Sequence, residues 1–223
     1  MKTDNYIIRE ANKKDIPFLT HVIMWSEMGR SDRLSYATLF NISHEKVESL
    51  ISKILEEEVD GCELSLSSFL VVENKSIPIA AFGAWIESYN GNSSSSFLKS
   101  NLLLSTFEKA SIEFFKSKSD IIKDILIERE PMTLQFEYLF VSEEYLGKKL
   151  DYALLEALEK RALSVYPDLK KAQNQLFKNS IFTLKLFSEN GFDVVASYKS
   201  NNENIFDYVP FDEKLLMEKI YKS

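Results

Sequence analysis

From Thr133 to Val141 (TLQFEYLFV) the chain is aromatic or aliphatic at almost every position, the composition of a strand packed inside a sheet. An acidic turn follows at Glu143 and Glu144, then Gly147. From there Leu150, Leu154, Leu158, Ala162 and Val165 recur at helical spacing until Pro167 stops the pattern. Strand, turn and helix form one unit, and a chain built around such a unit reads as α/β.

The flanking segments fit that class. Tyr6 to Glu10 reads as a short strand, and Asp15 sits in N-cap position before Ile16, Leu19 and Ile23. Ser43 to Glu58, with Val47, Leu50, Ile51 and Leu55 among charges, is an amphipathic helix. Ser68 to Glu73 and Ile79 to Ile86 flank the turn-forming Asn74-Lys75-Ser76, which predicts an antiparallel hairpin. Tyr89 to Ser96 (YNGNSSSS) has no apolar face and is expected to be a mobile surface turn. Leu102, Leu103, Phe107, Ile112 and Phe115 then predict one or two helices, a helical insertion at about 97–130 before the central strand. The tail reads as a strand from Ala172 to Phe177, a helix from Ser180 to Glu189 stopped at Gly191, and a strand from Phe192 to Ser197. A last strand, Ile205 to Val209, and a terminal helix from Asp212 complete the expected order. No internal repeat is visible, and 223 residues suit one domain spanning 1–223.

Composition narrows the function. Hydrophobic residues at 45% supply an ample core. Lys plus Arg against Asp plus Glu gives 27 − 34 = −7, a field that repels phosphate backbones and anionic lipid, so neither nucleic acid nor a membrane is an expected partner. The opening MKTDNYIIRE lacks the apolar core of a signal peptide, so the chain is expected in the cytoplasm. Cys62 is the sole cysteine, which argues against a Cys-based metal site, and His21 and His44 lie in no nucleophile or metal spacing.

Ile8-Arg9-Glu10-Ala11 with Asp15, the strand ending at Val141, the segment Glu143 to Leu150 (EEYLGKKL) and the closing Gly191-Phe192 together resemble the GCN5-related N-acetyltransferases (GNAT). The resemblance runs from about residue 6 to residue 209. It implies a mixed, mostly antiparallel sheet flanked by helices. It also implies an acyl group moved from acetyl-CoA to an amine acceptor, small molecule or protein, with a homodimer as a possible assembly.

In that family a splayed central strand receives the pantetheine arm and the next loop wraps the pyrophosphate at a helix N-terminus, where amides and the helix dipole favour anions. Carried over, the cofactor contacts fall on Leu139, Val141, Leu146, Gly147, Lys148 and Lys149. The family's Arg or Gln, Gly, and Gly or Ala positions are here Leu146, Lys149 and Asp151; the Asp151 carboxylate would compete with a pyrophosphate for the helix end. Lys148 and Lys149 supply mobile cations instead. Asn179 and Ser180 take the place of an Asn that meets the cofactor, and Phe187 the place of a Tyr whose hydroxyl reaches the sulfur, so Phe187 can pack but not donate.

Glu137 shares alternation parity with Leu139 and Val141 and is the candidate base, expected on their sheet face. Glu27, Arg30 and Asp32 follow the first helix, where the family shapes its acceptor site; Trp25, Trp85, Phe136, Tyr138 and Phe140 read as core aromatics. The alternative to an enzyme is a catalytically silent module that keeps the fold for binding, favoured by the altered loop and Phe187.

Overall fold

The computed structural model describes residues 6–221. Its strands are β1 (Ile7–Glu10), β2 (Phe69–Asn74), β3 (Ile77–Ile86), β4 (Leu134–Val141), β5 (Lys171–Phe177), β6 (Asp193–Lys199) and β7 (Glu213–Ile220). Its helices are α1 (Ile16–Met28), α2 (Ser35–Phe40), α3 (His44–Glu57), α4 (Ser95–Thr106), α5 (Lys109–Ile122), α6 (Leu150–Val165) and α7 (Ile181–Glu189). The strands form one sheet in the order β1-β2-β3-β4-β5-β7-β6, antiparallel throughout except for the parallel pair β4 and β5. The mixed, mostly antiparallel sheet expected from the sequence is present.

Two cores fill its two faces. On one, α1 to α5 bury Leu19, Ile23, Phe40, Ile51 and Leu55 against Phe69, Val71 and Ala81. On the other, α6 and α7 bury Leu154, Leu158, Leu186 and Phe187 against Phe82, Phe136 and Met217. The β2–β3 hairpin turns at Lys75 and Ser76, both with positive φ, the geometry a two-residue connection demands. Helices α4 and α5 lie between β3 and β4, where the sequence predicts one or two helices, and they close over α2 and α3.

Four readings change. Asp15 is not a simple N-cap: with Asn12 it forms a capping box, and its carboxylate also takes two hydrogen bonds from Arg9, at 2.7 and 2.8 Å. The serine run is ordered, because Ser94 caps α4 through Phe97 N–H and Ser95 is fully buried. Ile205–Asp207 is a 3-10 turn seated on buried Ile205 rather than a strand. Residues from Glu213 are strand β7 rather than a helix. Their Glu, Lys, Leu and Met favour a helix in isolation, but pairing with β5 on one side and β6 on the other decides the conformation. Among the described residues no helix is long and apolar enough to cross a membrane.

Candidate active site

Strands β4 and β5 pair only through Leu134–Ala172, Gln135–Gln173 and Phe136–Asn174, and then part. The Asn174 amide holds the last rung by donating to Phe136 C=O at 2.8 Å, while its Oδ1 is buried without a partner. Beyond Phe136 the β5-facing edge of β4 pairs with no strand among the described residues. The parting opens toward the carboxyl ends of two parallel strands, where ligands commonly lodge in open α/β sheets.

A bulge sits at the same place. Tyr138 has φ +62°, and the β3 register jumps from Gly83–Glu137 to Ala81–Phe140. A side chain other than Gly held there stores strain, about 1–3 kcal/mol, and bulges re-aim side chains beside sites. Gly83 opposite is required by close approach, since a Cβ would meet Glu137 O at 2.9 Å. The bulge overturns the parity expected from the sequence. Leu139 and Val141 pack on the α6–α7 face, whereas Glu137 turns to the α1–α5 face with Tyr138 beside it.

On that face Glu137 meets a polar cluster assembled from distant segments. Arg129 Nη2 pairs with Glu137 Oε1 at 2.9 Å; its Nη1 reaches Glu63 Oε1 at 3.3 Å and donates to Ser95 Oγ at 3.0 Å. The guanidinium carbon lies 4.9 Å over the Trp85 ring. Lys99, from α4, pairs with Glu63 at 2.6 Å. Glu87 is saturated, accepting from Trp85 Nε1, Ser88 Oγ, and both N–H and Oγ of Ser95. Burial alone would raise the Glu63 carboxyl, but Lys99 and Arg129 outweigh it and hold the group below the usual range. Burial pushes the Tyr138 and Tyr36 phenols up, so both stay protonated.

Glu27, projecting from the end of α1, is partly exposed by its own surface but shielded by surrounding protein. That loss of water, with Glu137 and Glu63 nearby, pushes its carboxyl up against the opposing pull of Lys99 and Lys214. Lys214, with its ammonium 5.0 Å from the Phe177 ring centre, is pushed down by the same dehydration. Of the neighbouring candidates, Arg30 stacks at 4.3 Å over Phe182 on α7, and Asp32 is exposed. Trp25, with Phe18 and His21, packs edge-on against Phe140.

The cofactor candidates flank the parting. Gly147 has φ +79° with open space around it, and Leu146 is exposed. Lys149 is the N-cap of α6 and makes no side-chain cap. Asp151 lies in the first turn of α6, at the helix end where the sequence places it in competition with a pyrophosphate. Lys148 lies on the same loop, beside Lys149. Ser180 opens α7 with Asn179 beside it, also without a side-chain cap. Phe187 is completely buried between Phe82, Phe136 and Phe192, so it belongs to the aromatic core at the root of the parting.

Lys149 lies at φ +57°, ψ +30°, the left-handed conformation that a Gly adopts without strain. Lys149→Gly is expected to stabilise the fold by about 0.5–1 kcal/mol, read as a raised urea midpoint at constant m-value.

Sequence reasoning missed Tyr36, Glu63, Lys99, Arg129 and Lys214. The signal available was a charged residue inside an apolar run, as at Cys62-Glu63-Leu64. Among the described residues no His, Cys, Asp or Glu group is arranged to hold a metal. A separate hollow of ≈ 300 Å³ beside Trp85, Tyr89 and Tyr166 contains Arg161, but that guanidinium is occupied by the carbonyls of Ser67, Ser68 and Ala84. Among the described residues the buried side-chain polar atoms without a hydrogen bond of good geometry lie instead in the cluster around Glu137 and at Asn174.

No protein-family model matches the chain, and no curated protein does. Solved structures are similar over nearly the whole chain. An N-acetyltransferase from Staphylococcus aureus Mu50 shares 13% identity at TM-score 0.64, covering 95% of this chain and 99% of that one. A GNAT-family acetyltransferase from Streptococcus pneumoniae shares 14% at TM-score 0.53, covering 98% and 100%. An N-acetyltransferase from Thermoplasma acidophilum in complex with coenzyme A shares 14% at TM-score 0.50, covering 97% and 99%. With that agreement added to the split sheet and its bulge, the chain has the fold of the GNAT acetyltransferases.

Proposed function

We propose that the protein is an N-acetyltransferase that moves an acyl group from acetyl-CoA to an amine. The observation that carries this reading is the bulge at Tyr138, which turns Glu137 into a polar cluster where β4 and β5 separate. The residues present suit the cofactor. The unpaired β4 edge at Leu139 to Val141 offers backbone groups to an amide-bearing arm, and the uncapped start of α6 with Gly147 and Lys149 offers amides and a cation to a pyrophosphate. The solved relative with coenzyme A supports the same assignment.

When bound, acetyl-CoA supplies an activated thioester carbonyl. Glu137 then has one task, taking a proton from the acceptor ammonium so that nitrogen can attack. The N–C bond forms as the C–S bond breaks, and the second proton shed by nitrogen ends on the departing thiolate. Tyr138, kept protonated by burial, supplies a hydrogen bond rather than a proton. Arg129 holds the Glu137 carboxylate in place and keeps one of its oxygens occupied.

Isothermal titration with acetyl-CoA tests the reading. Saturable binding is expected, and Lys149→Glu should weaken it about tenfold by placing an anion at the helix start. No detectable heat at millimolar ligand would sink the enzyme reading and leave a silent binding module.

A further inference from the structure

Among the described residues five buried side-chain polar atoms make no hydrogen bond of good geometry: Tyr36 Oη, Glu63 Oε2, Glu137 Oε2, Tyr138 Oη and Asn174 Oδ1. Asn174 marks the root of the parting; the other four belong to the one cluster on the α1–α5 face. Buried polar atoms are nearly always satisfied, so a convergence of orphans marks a place where a partner is meant to sit. The two phenols are within hydrogen-bond reach of each other and both respond to Glu27 and Glu63, so the carboxylate oxygens are the unanswered pair. Glu63 Oε2 and Glu137 Oε2 are lone-pair acceptors on carboxylates whose other oxygens are already held by Arg129. Glu27 adds a carboxylate with no ion pair among the described residues.

The two carboxylate oxygens only accept, so the partner they lack is a hydrogen-bond donor, and beside ionised carboxylates a cationic N–H donor is favoured. The carboxylates Glu27, Glu63, Glu87 and Glu137 face the cations Lys99, Arg129 and Lys214, which leaves acid in excess, 4 − 3 = 1, when all are ionised. That excess matches one ammonium, and the acceptor oxygens on two separate carboxylates offer places for two nitrogens.

We propose that the acyl acceptor is a polycationic alkylamine, a diamine or longer polyamine. Its reacting nitrogen meets Glu137, and a second, non-reacting ammonium is held by Glu27 and Glu63 with the Tyr36 and Tyr138 oxygens. The proposal rests on the acetyltransferase reading for its chemistry but not for its binding site. Both carboxylates are held through Oε1 by the one Arg129 guanidinium, which keeps them within the span of a single extended chain. Glu27 is a specificity residue here, since Glu63 and Glu137 are paired with Arg129 and Glu87 is filled by hydrogen bonds, whereas Glu27 has neither an ion pair nor a side-chain hydrogen bond among the described residues.

Two measurements separate this proposal from the enzyme reading. In the first, thiol release from acetyl-CoA is followed with spermidine, 1,4-diaminobutane, 4-amino-1-butanol and butylamine as acceptors. The dications are expected to exceed the neutral-tailed amines by roughly 30-fold or more in kcat/KM. Glu27→Gln should shrink that ratio about tenfold, chiefly through KM for the dication. Equal use of all four amines would overturn the polyamine proposal while leaving the acetyltransferase standing. In the second, thermal unfolding is recorded with each amine and no acetyl-CoA. Spermidine should raise the Tm of the wild type more than that of Glu27→Gln, and 4-amino-1-butanol should not raise it. If spermidine gives no shift, or the same shift in both proteins, the site is not a polyamine site, whatever acetyl-CoA does.

Discussion

Glu137→Gln is expected to lower kcat by about 10²–10⁴-fold, the usual range for loss of a positioned general base. Affinity for acetyl-CoA should stay within about threefold, because Glu137 lies on the face of the sheet opposite Leu139 and Val141. Glutamine keeps the shape of the side chain and an oxygen that can still accept from Arg129, so the substitution removes basicity with little loss of packing. The pH dependence distinguishes a base from an anchor. The attacking nitrogen must be unprotonated, and an alkylammonium resembles the lysine side chain with its pKa near ~10.4. As pH rises toward that value the free amine forms unaided, so the deficit of the variant should shrink. A deficit constant from pH 7 to pH 10 would show that Glu137 only holds Arg129. Glu137→Asp should recover part of the rate, since the charge returns at a longer reach.

The fold was legible where local chemistry and tertiary demand agree. The β4–α6 unit declared itself because an apolar run and a helical period both survive burial. The β2–β3 hairpin did so because its turn chemistry matches its geometry. Segment Glu213–Ile220 was misread because its residues favour a helix and only the neighbouring strands make it β7. The site was legible in part. Glu137 and Glu27 stood out as carboxylates near the expected cleft, but the face that Glu137 occupies depends on a left-handed Tyr138, and nothing in a tyrosine announces positive φ. Glu63, Lys99 and Arg129 come from a loop before β2, from the insertion and from the segment after it. Each alone reads as a solvated charge. Only folding shows that the insertion, purposeless in the sequence, delivers Ser95 and Lys99 to the cluster.

Arg129→Met is expected to destabilise the fold by about 3–5 kcal/mol, the range for removing one partner of a buried ion network. Arg129 is the only group that binds both Glu63 and Glu137 among the described residues, and it also donates to Ser95. Methionine fills similar volume over the Trp85 ring, so the loss is electrostatic more than steric. For a chain of this size the Tm should fall roughly 6–20 °C. The pH profile tests the cause. In the wild type the Glu63 carboxyl is depressed, so its contribution to stability is present above the ordinary glutamate pKa of 4.5 and is lost as pH falls through the lower folded value. With Arg129 gone, Lys99 alone must offset burial, and the folded pKa of Glu63 rises. Protonation then relieves the uncompensated charge, so the stability gap between variant and wild type should be widest near pH 7 and narrower near pH 5. A gap that is flat with pH would assign Arg129 to packing alone. The double variant Arg129→Met with Glu63→Gln should recover part of the lost Tm, because it removes the charge that the single variant strands.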